Sequence, residues 1–265
     1  MGVQPFVTAT KIIPAYNDLA KAISANLGCR VTVTITSDYA AETEAIRAGK
    51  LEFAEFPPFG FVLAQKQADL VPLVTAGTAS GKIAYAVGGL AVLSSSPYHN
   101  LSQLRGQSVA FSAPTATSGH LLPAYGLYLA GVNPNTGIKA VYLGTHTATY
   151  EALLTGRVAA AELNSVEIAL AAAAGKYDPS KIRMLYTSAP SPADPIVVRG
   201  DLPKSFQRRL KKALLAVDFA KLAPATQKFF TKTLHQTSYV PVTNTTYDGV
   251  RKIAAALHVT AANAG

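Results

Sequence analysis

The chain has 265 residues, 49% of them hydrophobic and only 15% charged, which excludes a disordered chain and allows a sizeable core in one large domain or two medium ones. Its net charge is +9, yet the basic residues are scattered except for Arg208, Arg209, Lys211 and Lys212, which read as the solvated face of one helix. Without a basic stripe interleaved with aromatics, nucleic-acid binding is not expected, although the positive field would help attract small anions. The single cysteine, Cys29, excludes an internal disulfide and a Cys-x-x-Cys metal site, and it reads as a small buried residue. No stretch is apolar for long enough to span a membrane. Met1-Gly2-Val3-Gln4 leads straight into a strand-like run with no signal peptide, as in a cytosolic protein or a mature secreted one with an added start Met.

Phe6 to Ala9 reads as a first strand, and Ala15 to Leu27 as a helix with apolar residues at helical spacing that stops at Gly28. Val31 to Thr36 alternates as a strand, Tyr39 to Ala48 is a helix ended by Gly49, and Leu51 to Phe56 is a strand cut off by Pro57-Pro58. Phe59 to Gln67 reads as helix and Leu70 to Thr75 as strand. Ile83 to Leu93 is a long apolar extended run. Alternation then restarts: strands at 107–111, 139–143, 158–163 and 182–187, with helices at 118–130, 147–154 and 166–174. Pro190, Pro192 and Pro195 mark an extended passage into Ile196 to Arg199. Helices over 204–219, 224–234 and 246–257 fill most of the rest. Such alternation predicts a mostly parallel sheet with helices on both faces. The chain divides into two α/β units, one built from its start and end and one from its middle. Extended crossings near 84–93 and 189–198 join them, and a cleft between such lobes is a natural ligand site. The lobes are set at 1–90 with 197–265, and at 91–196.

The stretch Phe111 to Gly126 stands out. A short apolar strand ends at Pro114, and small hydroxyl residues follow: Thr115, Thr117 and Ser118, then Gly119, where a helix begins. The first backbone N–H groups of a helix have no internal partner, and that end of the helix is partly positive. An anion binds there without Arg or Lys, with Ser and Thr adding donors and glycine allowing close approach. Thr115 or Thr117 alone reads equally as an ordinary N-cap.

Several motifs in order resemble the phosphonate-binding proteins of ATP-driven (ABC) importers, the phosphate/phosphite/phosphonate family. Phe111 to Gly119 resembles that family's Asp-Pro-x-Ser-Thr-Ser-Gly segment. Gly144-Thr145-His146-Thr147-Ala148 is similar to its Gly-Ser-His-x-x, and Thr155 to Ala160 to its Asn-Gly-x-Val-Asp-Ala. Pro192 to Pro203 is similar to its Pro-x-Asp-Pro-x-x-x-Arg-x-x-Leu-Pro. Ser37 to Ala40 and Phe53 to Phe56 sit in the family's order. The resemblance covers nearly the whole chain and rests on order and spacing rather than on one motif. It implies an α/β, two-lobed periplasmic-binding fold of type II, with two crossover strands and a ligand cleft between the lobes.

The resemblance also implies ligand residues, position by position. Tyr39 matches a tyrosine that contacts the ligand's oxygens; alternatively it is a helix-start aromatic in the core. Thr117 and Ser118 match two hydroxyl donors, and a third is lost at Ala116. His146 matches the family's histidine. Asp194 matches an acid that reads an amine or a protonated oxygen, and it also reads as an Asp fixing a turn before Pro195. Glu162 lies near another amine-reading acid, and Tyr85 is a further cleft aromatic. Glu55 departs from the pattern, standing where the family has an aromatic. An acid in an apolar cleft is costly unless paired or protonated. It would repel a dianion or grip an amine or hydroxyls, unless it points out of the cleft.

The expected function is a solute-binding protein that delivers a phosphonate, phosphite or phosphate to a membrane permease. It is expected to act as a monomer outside the cytoplasm, in the periplasm, with or without a lipid anchor. The alternative keeps that role for a neutral polyhydroxylated or amine-bearing ligand, on the strength of Glu55 and Ala116. An enzyme is not expected. Ser118, His146 and Asp194 could be drawn as a triad, but Ala116-Thr117-Ser118-Gly119-His120 is not a Gly-x-Ser-x-Gly elbow. No metal-ligand spacing and no cofactor motif is present.

Overall fold

The chain enters its first sheet earlier than the sequence predicts. In the computed structural model, which describes residues 1–259, β1 is Gly2–Val3, and Phe6 to Ala9 lead instead into α1 (Ala9–Leu27). α1 runs through Pro14 at the loss of one backbone hydrogen bond. Its apolar stripe sustains it: Ile12, Tyr16, Leu19 and Ile23 are fully buried. Gly28 ends the helix in the left-handed region (φ 74°), its N–H bonded to the Ser24 carbonyl. Cys29 lies beyond that stripe, in the turn, and is exposed rather than buried as expected.

β2 (Thr34–Ile35), α2 (Tyr39–Arg47), β3 (Phe53–Glu55), α3 (Pro58–Ala64) and β4 (Leu70–Gly77) complete the first part of one compact unit, which the chain leaves at β5 (Tyr85–Ala86). A second unit holds β6 (Gly89–Leu93), β7 (Ser108–Phe111), α4 (Leu122–Leu129), β8 (Lys139–Tyr142), α5 (His146–Leu154), β9 (Ala160–Glu162), α6 (Ser165–Ala173) and β10 (Ile182–Thr187). At β11 (Ser191–Pro192) the chain returns to the first unit for β12 (Pro195–Arg199), α7 (Lys204–Leu215), α8 (Pro224–Gln227) and β13 (Ser238–Pro241); α9 (Asp248–Ala256) follows. The first unit is therefore 1–85 with 192–249, and the second is 86–191 with 250–259 of the described residues. The sequence alone places these changes at 90/91 and 196/197 and keeps the whole C-terminal part in the first lobe. The residues from Val250 go instead with the second unit, where Ala256, Leu257 and His258 border the same small cavity as Tyr128, Val132 and Pro134. Residues 260–265, also assigned to the first lobe, lie outside the described residues.

The first unit's six-stranded sheet has the order β13-β4-β12-β3-β1-β2. Only β1, β2 and β3 are parallel; β12 runs antiparallel to β3 and β4, and β13 to β4. The sheet is mixed rather than mostly parallel because β12 arrives from the other unit and not through a strand–helix–strand crossover. No pattern in the sequence predicts β13. It is four residues long and ends in Pro241 at the sheet edge, where a proline disturbs no ladder. On α7 the interior positions Leu210, Ala213 and Leu214 are buried while Arg208, Arg209 and Lys212 are exposed, the solvated face the sequence predicts.

The second unit's sheet has the order β10-β6-β9-β7-β8, with β7 parallel to β8 and β9 and β6 antiparallel to β9 and β10. Its strands are covered on both faces. Leu90, Val92, Val109, Phe111 and Ala160 join a core with Leu104 and Leu127. Their neighbours Ala91, Ala110 and Ala161 point the other way, into a core with Tyr150, Leu153 and Leu163. No helix among the described residues is long and apolar enough to cross a membrane.

Candidate functional site

In the second unit, three strand-to-helix junctions meet at the carboxyl ends of the parallel strands, the usual ligand edge of an α/β sheet. β7 ends in the turn 112–116, β8 leads through Gly144 and Thr145 to α5, and β9 ends at Glu162 before α6. Backbone bonds tie the first two together: Leu143 N–H to the Phe111 carbonyl (3.0 Å) and Gly144 N–H to the Ser112 carbonyl (2.7 Å). The helix after β7 opens with a π-helical turn, Thr117–Leu121, in which the Leu121 N–H reaches back to the Ala116 carbonyl at 3.0 Å, and it continues into α4. Its N-cap is Ala116, whose side chain makes no cap bond, so neither Thr115 nor Thr117 is the cap. The positive end of this helix is thus not neutralised by a capping oxygen. Thr117 is buried and Ser118 half-buried.

Gly119 is where this turn comes closest to the rest of the site. A Cβ there would overlap Ser112 Oγ and lie 2.8 Å from His146 Cε1. The His146 ring, on the first residue of α5, therefore packs directly against the start of the π-turn. Gly88 approaches from the other side, since a Cβ there would sit 2.6 Å from the Ser118 carbonyl oxygen. The fully buried Ser112 Oγ has no hydrogen-bond partner among the described residues.

His146 is held from behind. Its Nδ1 is 2.7 Å from Glu162 Oε1 and 2.8 Å from Asn164 Nδ2. Asn164 caps α6 through Oδ1, which accepts from the Val166 and Glu167 N–H groups at 2.9 Å each, so its amide group is fixed as a donor toward the pair. Nδ1 cannot accept from that amide and donate to Glu162 together. A buried carboxylate at 2.7 Å needs the proton between, so Nδ1–H donates to Glu162 and the amide donates to Oε2 (3.1 Å). Thr149 Oγ1 lies 2.8 Å from Oε1. Glu162 is 1% exposed, with both oxygens within hydrogen-bond distance of protein groups.

His120, which carries no motif signal for a ligand role, braces the turn before the helix. Its Nδ1 donates to the Pro114 carbonyl (2.6 Å), its Nε2 accepts from Tyr142 OH (3.0 Å), and its ring meets Phe111 edge-on. Burial pushes its pKa down to about 4, against the upward pull of the Pro114 bond. Between the ordinary 6.5 and 4, the unfolded chain takes up a proton that the folded one refuses, so stability falls as pH drops through that window. The full shift corresponds to about 3 kcal/mol. Urea unfolding at pH 7 and pH 4.5 is expected to show a smaller acid loss in His120→Gln than in the parent protein; equal losses would refute this account.

The acids of the first unit form a second group. Tyr16 OH, itself 1% exposed, donates to Glu55 Oε1 at 2.8 Å. Glu55, the last residue of β3, is half-buried, and burial followed by the charge of Asp194 raises its pKa to about 8, against the pull of the tyrosine bond. At neutral pH this carboxyl keeps its proton, so the repulsion expected of it is absent. Asp194 accepts from Gln4 Nε2 at 2.8 Å, and its carbonyl accepts from Thr75 Oγ1 at 2.9 Å. The carboxylate at His146 Nδ1 is Glu162, from the same unit. Tyr39 starts α2, capped by Asp38, and is 5% exposed; Tyr85 is 58% exposed in β5. Tyr16, Gln4, Ser112 and Asn164 carry no motif signal in the sequence. Among the described residues no group of three or more His, Cys, Asp or Glu could hold a metal ion.

A family model described as "ABC transporter, phosphonate, periplasmic substrate-binding protein" matches residues 1–247. The chain is 29% identical over 164 residues to the phosphate-import protein PhnD of Mycolicibacterium smegmatis, a match covering 57% of this chain and 50% of that protein, so it spans half the length of this relative. Two solved structures share the fold at a TM-score of 0.82. One is a binding-protein component of an ABC phosphonate transporter from Pseudomonas aeruginosa, at 19% identity over 97% of this chain and 85% of the other. The second is PhnD1 from Prochlorococcus marinus in complex with methylphosphonate, at 20% identity over 97% of both chains. The architecture is that of type II periplasmic binding proteins. With the family model matched over nearly its whole length, the chain belongs to the periplasmic substrate-binding proteins of phosphonate ABC transporters.

Proposed function

We propose that this chain binds a small phosphorus oxyanion, such as a phosphonate, phosphite or phosphate, and delivers it to an ABC permease from outside the cytoplasm, as a monomeric carrier and not an enzyme. One observation carries the reading: a helix start with no capping side chain, bearing Thr117 and Ser118, with the His146 ring packed against it at Gly119. Backbone N–H groups and hydroxyls there supply donors to an oxyanion, and the imidazole beside them accepts from a protonated phosphorus oxygen. The methylphosphonate complex of PhnD1 and the phosphate import of the mycobacterial PhnD support the ligand class. The proton on Glu55 removes one objection to an anion, and Tyr39, Tyr85 and Asp194 are assigned as further ligand contacts by family resemblance.

Thermal unfolding with a ligand panel tests the reading. A ligand that binds only the folded state, at a hundred times its Kd, adds about 2.7 kcal/mol, or a midpoint rise of about 5 °C or more. Methylphosphonate, phosphite or phosphate is expected to give that rise, with none from polyols or amino acids. A rise with a polyol or an amine, and none with any phosphorus compound, would mean a changed ligand, with Glu55 and Asp194 the first residues to vary.

A further inference from the structure

The buried acid of the second unit has both oxygens engaged within the protein. Glu162 Oε1 accepts from His146 Nδ1–H at 2.7 Å and Oε2 from Asn164 Nδ2 at 3.1 Å, while Thr149 Oγ1, 2.8 Å from Oε1, shares its one proton between that oxygen and the His146 carbonyl at 2.6 Å. With 1% of its surface exposed, an incoming ammonium group could reach it only by displacing one of these donors. The donors come from two elements, the first turn of α5 with His146 and Thr149 and the cap of α6 with Asn164, and β9 ends in the acceptor, Glu162. The other titratable group facing them is Glu167, buried in the first turn of α6 and bonded to Thr147 Oγ1 at 3.1 Å.

We infer that Glu162 is a positioning residue that fixes the orientation and Nδ1–H form of His146, and does not read an amino group on the ligand. This rests on the oxyanion reading above, and it removes Glu162 from the acids that could read an aminoalkyl substituent. A carboxylate behind a histidine sets which nitrogen carries the proton, and so what the other nitrogen offers to the ligand. With Nδ1–H donating to Glu162, Nε2 of the neutral ring carries a lone pair and would meet the ligand as the acceptor of a P–OH proton.

The test uses Glu162→Gln in the full chain, with two readouts. The first is the ring-nitrogen NMR signature of His146 in the ligand-free protein, assigned by its loss in His146→Gln. The second is the calorimetric Kd for methylphosphonate and for aminoethylphosphonate. The expected result is a changed His146 tautomer signature, with both ligands weakened by the same factor, about tenfold, the value of one hydrogen bond to a charged group. Glu162→Asp, which keeps the charge but draws it back by one methylene, is expected to give the same changes in smaller measure, and it carries the test if Glu162→Gln does not fold. An unchanged His146 signature, or a loss confined to aminoethylphosphonate, would overturn the inference. If the parent protein binds neither compound, the oxyanion reading fails, while the signature still judges the link between Glu162 and His146.

Discussion

Gly119→Ala is expected to cost about 3 kcal/mol of stability and to weaken oxyanion binding by about a hundredfold or more. The new methyl group would overlap Ser112 Oγ, lie 3.0 Å from Ser112 Cβ and press on His146 Cε1 at 2.8 Å. None of these can simply swing away. Ser112 is fully buried with its backbone N–H bonded to the Gly119 carbonyl at 3.1 Å, and His146 is pinned by Glu162. The turn must therefore move, and donors that act together lose their alignment. Calorimetric titration and urea unfolding measure the two losses. Adding Ser112→Gly removes the worst overlap, so the double variant is expected to recover part of the stability. Its binding stays weak, because the histidine contact remains. A Gly119→Ala protein with parental affinity would show that this approach plays no part in binding.

Glu42→Leu is expected to stabilise the protein by about 2 kcal/mol at pH 7, the reverse of most buried substitutions. Glu42 lies on α2 with none of its surface exposed, and neither carboxyl oxygen has a hydrogen-bond partner among the described residues. Burial, then the charges of Glu55 and Asp194, raise its pKa well above the ordinary 4.5, against the pull of the terminal amino group. The sign follows from the protons. Above pH 4.5 the unfolded chain releases a proton that the folded one keeps, so this residue's contribution is greatest below that pH and is lost as pH rises toward the raised folded value. Glu42→Leu removes both the orphaned group and its share of the slope. Urea unfolding at pH 5 and pH 8 is expected to show a gain that grows with pH. A loss at both values would mean that the carboxyl is satisfied in the folded protein.

Much of this architecture is legible in the sequence because it is written locally. Helical spacing locates α2 and α5 to within a residue and the end of α1, whose start it places six residues late, and Gly28, Gly49 and Gly156 mark helix ends where the chain takes φ of 74°, 72° and 68°. The hydroxyl cluster at a strand–helix junction singles out 117–119, although alone it reads equally as an ordinary N-cap. What the sequence does not carry is long-range. Strand direction in the first unit depends on where β12 comes from, which no local pattern records. The placement of α9 depends on which unit covers its apolar face. Glu162 reads as a ligand acid because its family position is visible and its three donors are not. His120 carries no signal in the sequence for the two bonds it makes, to the Pro114 carbonyl and Tyr142 OH. Glu55 looks like an obstacle to anions because a sequence shows the carboxyl and not the burial and the neighbouring Asp194 that raise its pKa.

The central claim is that the start of the π-turn in the second unit binds a phosphorus oxyanion, and isothermal titration of methylphosphonate, phosphite and phosphate into the parent protein and Ser118→Ala tests it most directly. The account predicts saturable one-to-one binding of at least one of the three to the parent. It predicts a loss of about tenfold to a hundredfold in Ser118→Ala, the value of a hydrogen bond to a charged ligand, with the unfolding midpoint of the free protein unchanged. Equal affinity in the two proteins, or no heat from any of the three compounds, would contradict it.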